Sequence, residues 1–400
     1  MSKQTIEDTR SGELPALPFD RPDLLAVAPL LRKLQADCPI SRVRTPAGDQ
    51  AWLVTRYDKV RRLLADDRLG LSHPDPDNAA RVNESVFFGG ASGNYETEHA
   101  DRARMRSRLQ PYFSPRRMRA FRPRVEALVE ELLDRIAART PPLDLHEALS
   151  VPLPILVICE LLGVPYEDRA RFRAWTQGIA DTRDRQRSEA ALADLFGYTC
   201  ELVRRKRAHP DDGVISGLCA TEDNDDEVAM LAAILLFAGH ETTVVQIDLG
   251  VLLMLTGNDQ RQALLDDPAL LPAAVEEILR GGGTGGGGVP RYAREDIDVG
   301  GVTVRAGELL LLDTGAANHD ERVFAGPDRF DVTRPPSPHV TFGHGPHYCI
   351  GAPLARIELQ AVFGRLFQRF PTMRLAVPLE RVKVRNDLLT GGLDELPVTW

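Results

Sequence analysis

Apolar and polar residues alternate along much of this 400-residue chain with the period of an α-helix. The pattern predicts helices over 117–140, 226–257 and 269–280, and a further amphipathic helix over about 352–370. The two-residue alternation of a strand occurs only in short pieces, near Trp52, from Ile297 onward and in the C-terminal "LPVTW". The pattern therefore predicts a mainly α fold with small, peripheral β-sheets. No repeat or linker divides the chain, so residues 1–400 are expected to form a single large domain.

Charge and hydrophobicity narrow the classes of protein to consider. The net charge of -9 and the pI near 5.6 argue against nucleic-acid binding, which needs a basic surface. The N-terminal segment has no apolar core of the kind that a signal peptide needs. The longest apolar run, "VAMLAAILLFA" at 228–238, is shorter than the roughly 20 residues that span a bilayer. We expect a cytoplasmic protein without a membrane segment.

Five cysteines are scattered through the chain without a C-x-x-C pair, which argues against a zinc site or a redox dithiol. Four of them are typical of small buried apolar residues. Cys349 differs, because it lies in the glycine-rich stretch "FGHGPHYCIG" just before the helix predicted from Ala352. Backbone N–H groups at a helix N-terminus stabilise a thiolate, which can act as a nucleophile or as a soft metal ligand.

Interpreting Cys349 as a metal ligand explains more of this stretch than interpreting it as a nucleophile. A nucleophile needs a general base, and the nearby candidate, His347, is two residues away on a turning loop, where side chains usually diverge. A metal ligand also accounts for Gly343, Gly345 and Gly351, which remove side chains where a flat group approaches the backbone.

The pattern F-G-x-G-x-H-x-C-x-G, from Phe342 to Gly351, resembles the haem-binding loop of the cytochrome P-450 family. The resemblance implies the fold of that family, a haem b cofactor with Cys349 as the axial iron ligand, and Phe342, Gly343 and Gly351 in the cofactor site. It also implies a monooxygenase that activates dioxygen. A haem-thiolate sensor or electron carrier is a second possibility. A haem-thiolate oxidase that catalyses desaturation, ring closure or coupling with the same cofactor and residues is a third.

Two further motifs follow the family's order. Glu277 and Arg280 form E-x-x-R on one helix face, and the resemblance implies a third arginine, Arg329, with Arg334 as the alternative. In "AGHETT", the resemblance implies that Glu241 and Thr242 relay protons.

The second motif also suggests an opening in its helix. A threonine that bonds back to the carbonyl four residues earlier, here that of Ala238, loosens the helix ladder and makes room for dioxygen. His240, between these residues, is expected from the helix angle to point elsewhere and is interpreted as structural.

The haem propionates need cationic partners, and the resemblance assigns Arg291, His347 and Arg106 to them. Arg102 stands where relatives usually have a histidine, and His99 is the alternative at this place.

Nine arginines between Arg102 and Arg124 are interpreted either as a solvated helix face or as a docking surface for an acidic electron donor. The resemblance implies a ferredoxin and its reductase as donors, and we expect a monomer.

The stretch "RGGGTGGGGVPR" from Arg280 to Arg291 contains G-x-G-x-x-G, but a helix precedes it and no helix follows, which excludes a dinucleotide-binding turn. The resemblance places this stretch beside the haem. Its glycines therefore indicate either a widened substrate pocket or a backbone that lies directly against the substrate. The alternative is a loop that merely tolerates glycine. The expected substrate is an apolar or amphipathic secondary metabolite such as an antibiotic, a polyketide or a terpenoid. The predicted contacts to it are Leu236, Phe237, Gly285, Gly286, Val289 and Leu389.

Overall fold

The computed structural model describes residues 14–21, 24–38, 40–283, 287–336 and 338–400. In these residues the helices are α1 Pro29–Asp37, α2 Tyr57–Leu64, α3 Glu98–Leu109, α4 Pro115–Ala137, α5 Pro152–Leu162, α6 Arg169–Ile179, α7 Arg185–Ala208, α8 Val214–Cys219, α9 Asp225–Thr256, α10 Asn258–Asp266, α11 Leu271–Gly281, α12 Thr314–Asn318, α13 Ala352–Phe363 and α14 Leu366–Arg369.

The strands are short and form three small sheets. They are β1 Ile40–Arg44, β2 Gln50–Val54, β3 Leu69–Gly70, β4 Leu143–Asp144, β5 Val289–Ala293, β6 Ile297–Val299, β7 Val302–Val304, β8 Leu309–Leu312, β9 Arg374–Leu375 and β10 Pro397–Thr399. The largest sheet has the order β1-β2-β8-β5-β3, with β2 and β8 parallel and its other neighbours antiparallel. The predicted mainly α fold with small sheets is confirmed.

The long helix α9 is the centre of the fold. Its N-cap residue Asn224 accepts hydrogen bonds from the backbone N–H groups of Asp226 and Glu227, and acidic residues fill the first turn, where they complement the helix dipole. The helix packs against α5, α7, α11 and α13 and is buried on nearly all sides. Its length and hydropathy would suffice for a membrane span, but 67% of the apolar window is buried inside the molecule, as in the core helix of a globular protein.

One predicted helix is divided in the structure. The helix expected over 352–370 is divided into α13 and α14 around Gly364. A Cβ atom at Gly364 would lie 2.8 Å from the Gln360 carbonyl oxygen and 3.0 Å from Leu271, so the chain passes too close to α11 for a side chain here. The hydrophobic period continues across the break because both pieces face the same core.

Candidate functional site

The Cys349 loop is folded back on itself by glycines and by one backbone hydrogen bond. Gly343 and Gly345 have φ values of 74° and 70°, in the left-handed region that favours glycine. The Cys349 N–H donates to the Phe342 carbonyl at 2.8 Å. A Cβ atom at Gly345 would lie 2.8 Å from Ala65, so the loop also packs closely against the end of α2. Cys349 is thereby held just before the first turn of α13.

Cys349 is accessible although protein surrounds its thiol. The residue is exposed, yet burial by surrounding protein raises the pKa of the thiol. The backbone N–H groups of Gly351 and Ala352 lower that pKa in part, which confirms the expected donors at the helix start. The thiol is therefore accessible to a ligand although it is partly desolvated.

A cluster of basic side chains adjoins this loop. Arg102 donates to Nδ1 of His99 at 2.7 Å and contacts the ring of His347, whose Nδ1 lies 3.2 Å away. Arg291 is only 4% exposed, and its guanidinium donates to the Pro290 carbonyl at 2.7 Å. Both Arg102 and His99, the two alternatives of the sequence analysis, therefore belong to the same cluster.

The positive charges of Arg102 and Arg291 repel each other. Burial, with Arg102 nearby, lowers the pKa of Arg291 to about 10, and burial, with Arg291 and Arg102 nearby, lowers the pKa of His347 to about 3. In the part of the chain that the structure describes, no carboxylate lies within ion-pair distance of Arg102 or Arg291. Two arginines without an ion-pair partner are suited to binding carboxylate groups of a ligand.

Arg106 lies outside this cluster. Its guanidinium donates to the Tyr348 carbonyl at 2.7 Å, directly before Cys349. Arg106 lies one helical turn beyond Arg102 and its side chain reaches the Cys349 loop, and its propionate contact stays a prediction. Its positive charge acts on the thiol and lowers the pKa of Cys349 in part.

The middle of α9 is open on one side. From Leu231 to Leu255, Ala238 and Thr242 are the residues with exposed side chains, although the helix is in the core. The two residues are four apart and so share a face. The Thr242 hydroxyl donates to the Ala238 carbonyl at 2.9 Å, as predicted, and α9 remains continuous across this bond.

Glu241 points away from that open face. Its side chain is 9% exposed, and its Oε1 accepts a hydrogen bond from the Thr176 hydroxyl of α6 at 3.2 Å. His240 Nδ1 lies 3.3 Å from the same oxygen, so His240 contacts Glu241 directly, and the interpretation that it points elsewhere is wrong. Burial raises the pKa of Glu241, but His240, Thr176 and Arg385 together lower it below its usual value.

A buried ion network follows α11, and its third arginine differs from the one expected. Glu277 accepts two hydrogen bonds from Arg280, at 2.7 and 2.8 Å, and one from Arg334 Nε at 3.0 Å. Arg329 was the first choice in the sequence analysis, and that choice is wrong. The side chain of Arg329 is 72% exposed and faces Asp331 at 3.4 Å, because its backbone carbonyl, not its guanidinium, turns toward the network.

A second network beside it had not been expected from the sequence. Glu276 accepts two hydrogen bonds from Arg356 of α13, at 2.7 and 2.9 Å, and lies 3.0 Å from His339. Burial would raise the pKa of Glu276, but His339 and Arg356 lower it to about 2. The Arg356 guanidinium also lies 4.6 Å from the centroid of the Phe342 ring. The network therefore ties α11 and α13 to the loop that carries Cys349. Its only sequence signal was the position of Glu276 next to Glu277.

Four of the six predicted substrate contacts lie among the described residues. Phe237 stacks on Phe87 with centroids 4.6 Å apart, and Leu236 is buried beside it. Val289 and Leu389 are half-buried. Gly285 and Gly286 lie outside the described residues.

The described glycines at the ends of the glycine run are required by packing and conformation. A Cβ atom at Gly282 would lie 2.9 Å from the Ile278 carbonyl oxygen and 3.1 Å from Gln246, while Gly288 has φ 70° and crowds Leu311. At Gly287 a Cβ atom would meet nothing within 4 Å. Glycine is therefore structurally necessary at 282 and 288 but not at 287.

Comparison with known proteins gives the family of this chain. The sequence model of the family described as Cytochrome P450 matches residues 257–383. The chain is 49% identical to pentalenolactone synthase of Streptomyces exfoliatus, over 97% of this chain and 100% of that protein. It is 40% identical to mycinamicin IV hydroxylase/epoxidase of Micromonospora griseorubida, over 98% and 100% of the two chains. Among solved structures, substrate-free cytochrome P450 PimD, a pimaricin epoxidase, has a TM-score of 0.88 at 46% identity and covers 97% of this chain and 99% of its own.

The chain belongs to the cytochrome P450 family and is a monooxygenase of that class. Membership implies a haem-iron cofactor, and the residues present fit one. The glycine-bent loop presents an accessible thiol, and Arg102 and Arg291, with the His347 ring beside Arg102, offer cationic donors to carboxylates such as those of a haem.

Proposed function

We propose that this protein is a haem b monooxygenase that hydroxylates or epoxidises an apolar small molecule of secondary metabolism. The observation that carries the proposal is the opening at Ala238 and Thr242 in an otherwise buried helix, together with the accessible thiol of Cys349. The relatives support the substrate class, since they include a pentalenolactone synthase, a mycinamicin hydroxylase/epoxidase and a pimaricin epoxidase.

In this proposal the protein holds the cofactor from two sides. Cys349 would bind the iron, and Arg102, Arg291 and His347 would bind the two carboxylates, which would relieve the repulsion between the arginines. When bound, the haem supplies the activation of dioxygen. Arg356 and Glu276 keep the Cys349 loop fixed on α13 and α11.

Thr242 and Glu241 handle protons in the same proposal. The Thr242 hydroxyl lies on the open face of α9, and rotation away from the Ala238 carbonyl would direct its hydrogen into the cavity. Glu241 is the buried carboxylate next to it and would resupply the proton from solvent. The apolar side of the cavity would be formed by Phe237, stacked on Phe87, and by Leu389, so the protein offers the substrate mainly hydrophobic contact there.

The electron donor in this proposal is a ferredoxin, reduced by its reductase. The arginines between Arg102 and Arg124 support docking of an acidic protein, because Arg116 and Arg119 are exposed in the first turns of α4. Part of this surface is neutralised, since Arg108 pairs with Glu222 and Glu227.

We further propose a cytoplasmic monomer built as one domain. The largest hydrophobic cluster joins residues from Leu109 to Val398, which supports a single folding unit for the described chain.

Thr242→Ala tests the function in the complete system of enzyme, substrate and reduced donor. We expect NADPH or NADH consumption to continue while product per reductant falls and peroxide rises, because the hydroxyl that passes the proton is lost. Thr243→Ala, on the buried side of α9, is the control that should leave this ratio intact. Unchanged product yield in Thr242→Ala would contradict the proposed role of the hydroxyl.

A further inference from the structure

The guanidinium of Arg356 joins both ends of the loop that carries Cys349. Its carbon lies 4.6 Å from the centroid of the Phe342 ring, at the start of the loop. Its Nη1 donates to the Tyr348 hydroxyl at 3.4 Å, at the end of the loop. Arg356 belongs to α13 and lies about two helical turns beyond Cys349. It therefore connects this helix to the residues on both sides of the glycine-bent turn.

The same two ends also contact each other. The Phe342 and Tyr348 rings pack edge to face with centroids 6.3 Å apart, and the Cys349 N–H donates to the Phe342 carbonyl at 2.8 Å. Between the ends, Gly343 and Gly345 provide the bend but no side chains that could anchor it to α13. The position of the loop relative to α13 therefore depends on the contacts at its ends.

Glu276 fixes the orientation of the Arg356 guanidinium. Its carboxylate accepts from Nε at 2.7 Å and from Nη2 at 2.9 Å, and such a bidentate pair sets the plane of the group as well as its distance. His339 lies 3.0 Å from the same carboxylate, and its ring centroid is 6.0 Å from that of Phe342. A lysine could supply the charge of Arg356 but not this plane, because an ammonium is a point charge.

The first turn of α13 supplies the hydrogen bonds to the Cys349 sulfur. The donors are the backbone N–H groups of Gly351 and Ala352. Donors to a metal-bound sulfur favour the reduced metal, because reduction leaves more negative charge on the sulfur, and they thereby raise the reduction potential. Since Arg356 is on the same helix as these donors, the contact that ties the loop to α13 also sets their distance from the sulfur.

We propose that Arg356, oriented by Glu276, is a positioning residue that closes the Cys349 loop onto α13 and thereby sets the reduction potential of the bound haem. This role rests on the function proposed above, in which Cys349 binds the iron. Looser closure would lengthen the contacts of the N–H groups with the sulfur, leave more electron density on the sulfur and lower the reduction potential.

Two substitutions that preserve charge test this role. Arg356→Lys keeps the positive charge but loses the planar contact, and Glu276→Asp keeps the negative charge but is one methylene shorter than the bidentate pair requires. We expect each variant to lower the midpoint potential of the holoprotein in spectroelectrochemical titration. Because both act through one contact, the double variant should shift the potential as far as Arg356→Lys alone rather than by the sum. Wild-type potentials in both single variants would overturn the positioning role.

The matched control is Arg365→Lys, just beyond the end of α13. Arg365 also lies 2.7 Å from a glutamate, Glu130 of α4, and its side chain is 40% exposed against 29% for Arg356. Among the described residues, no contact joins Arg365 to the Cys349 loop. The control should therefore keep the wild-type midpoint potential, and a shift equal to that of Arg356→Lys would contradict a specific role of Arg356.

The iron–sulfur stretching frequency in resonance Raman spectra gives a second readout that a merely structural role would not move. Weaker hydrogen bonds to the sulfur strengthen its bond to iron, so the frequency should rise in Arg356→Lys and Glu276→Asp and stay unchanged in Arg365→Lys. If the wild-type holoprotein shows histidine ligation instead of an iron–sulfur band, the proposed function fails. If the wild type shows the band but Arg356→Lys shifts neither frequency nor potential, the positioning role fails and the function stands.

Discussion

Replacing Arg334 with glutamine should destabilise the protein far more than the same change at Arg329. The carboxylate of Glu277 is 2% exposed and is held by two bonds from Arg280, one from Arg334 and one from the Asp331 N–H. Arg334→Gln removes one charged donor from this buried group. The remaining hydrogen bonds to Glu277 cannot replace the positive charge of Arg334.

The size of the effect follows from burial. Breaking a buried ion pair by removing one partner costs about 3–5 kcal/mol. Because Arg280 still neutralises Glu277, and because Arg334 is itself 12% exposed, we expect roughly 2–3 kcal/mol for Arg334→Gln. The side chain of Arg329 is 72% exposed, and Arg329→Gln should cost less than about 0.5 kcal/mol.

Urea unfolding of the two holoproteins measures the difference. Unfolding is followed by far-ultraviolet circular dichroism for the helices and by the haem Soret band for the site, since loss of the two signals can be separate events in a cofactor protein. An Arg329→Gln variant as unstable as Arg334→Gln, or more so, would refute the assignment of Arg334 to the network.

Two further variants test other contacts. Glu276→Gln removes a carboxylate whose pKa is about 2, against an ordinary 4.5, although burial alone would raise it. Its stabilisation is therefore complete above pH 4.5 and is lost as the pH falls toward 2, so the stability gap between wild type and Glu276→Gln should narrow over that range in urea titrations; a constant gap would contradict the ion network. Gly282→Ala should cost about 1–3 kcal/mol because its Cβ atom would press on the Ile278 carbonyl and Gln246. Gly287→Ala, with open space, should be neutral or slightly stabilising, and equal losses in thermal unfolding would show that the loop lies elsewhere.

Residues close together in sequence were predictable, because local geometry fixes their relation. The E-x-x-R pair shares a helix face, the Thr242 bond to Ala238 spans one turn, and Cys349 lies just before a helix start. Arg102 and His347 are 245 positions apart, and only the family resemblance placed both of them at the haem propionates.

The wrong or missing predictions concern contacts that depend on the tertiary structure rather than on spacing along the chain. Arg329 and Arg334 both lie in an irregular segment, and which of two arginines turns inward depends on backbone turns that composition does not reveal. His240 was assigned by helix angle alone, but α6 packs so closely on α9 that Thr176 brings His240 and Glu241 to the same hydroxyl. Glu276 was overlooked because its partners, Arg356 and His339, lie 80 and 63 residues away.

The carbonyl spectrum of the reduced protein tests the central claim, that Cys349 binds a haem iron as a thiolate. Carbon monoxide added to the reduced holoprotein should give the red-shifted Soret band of thiolate ligation, and Cys349→His should abolish that band. A Soret position typical of histidine ligation in the wild-type protein, or a spectrum unchanged in Cys349→His, would contradict the account.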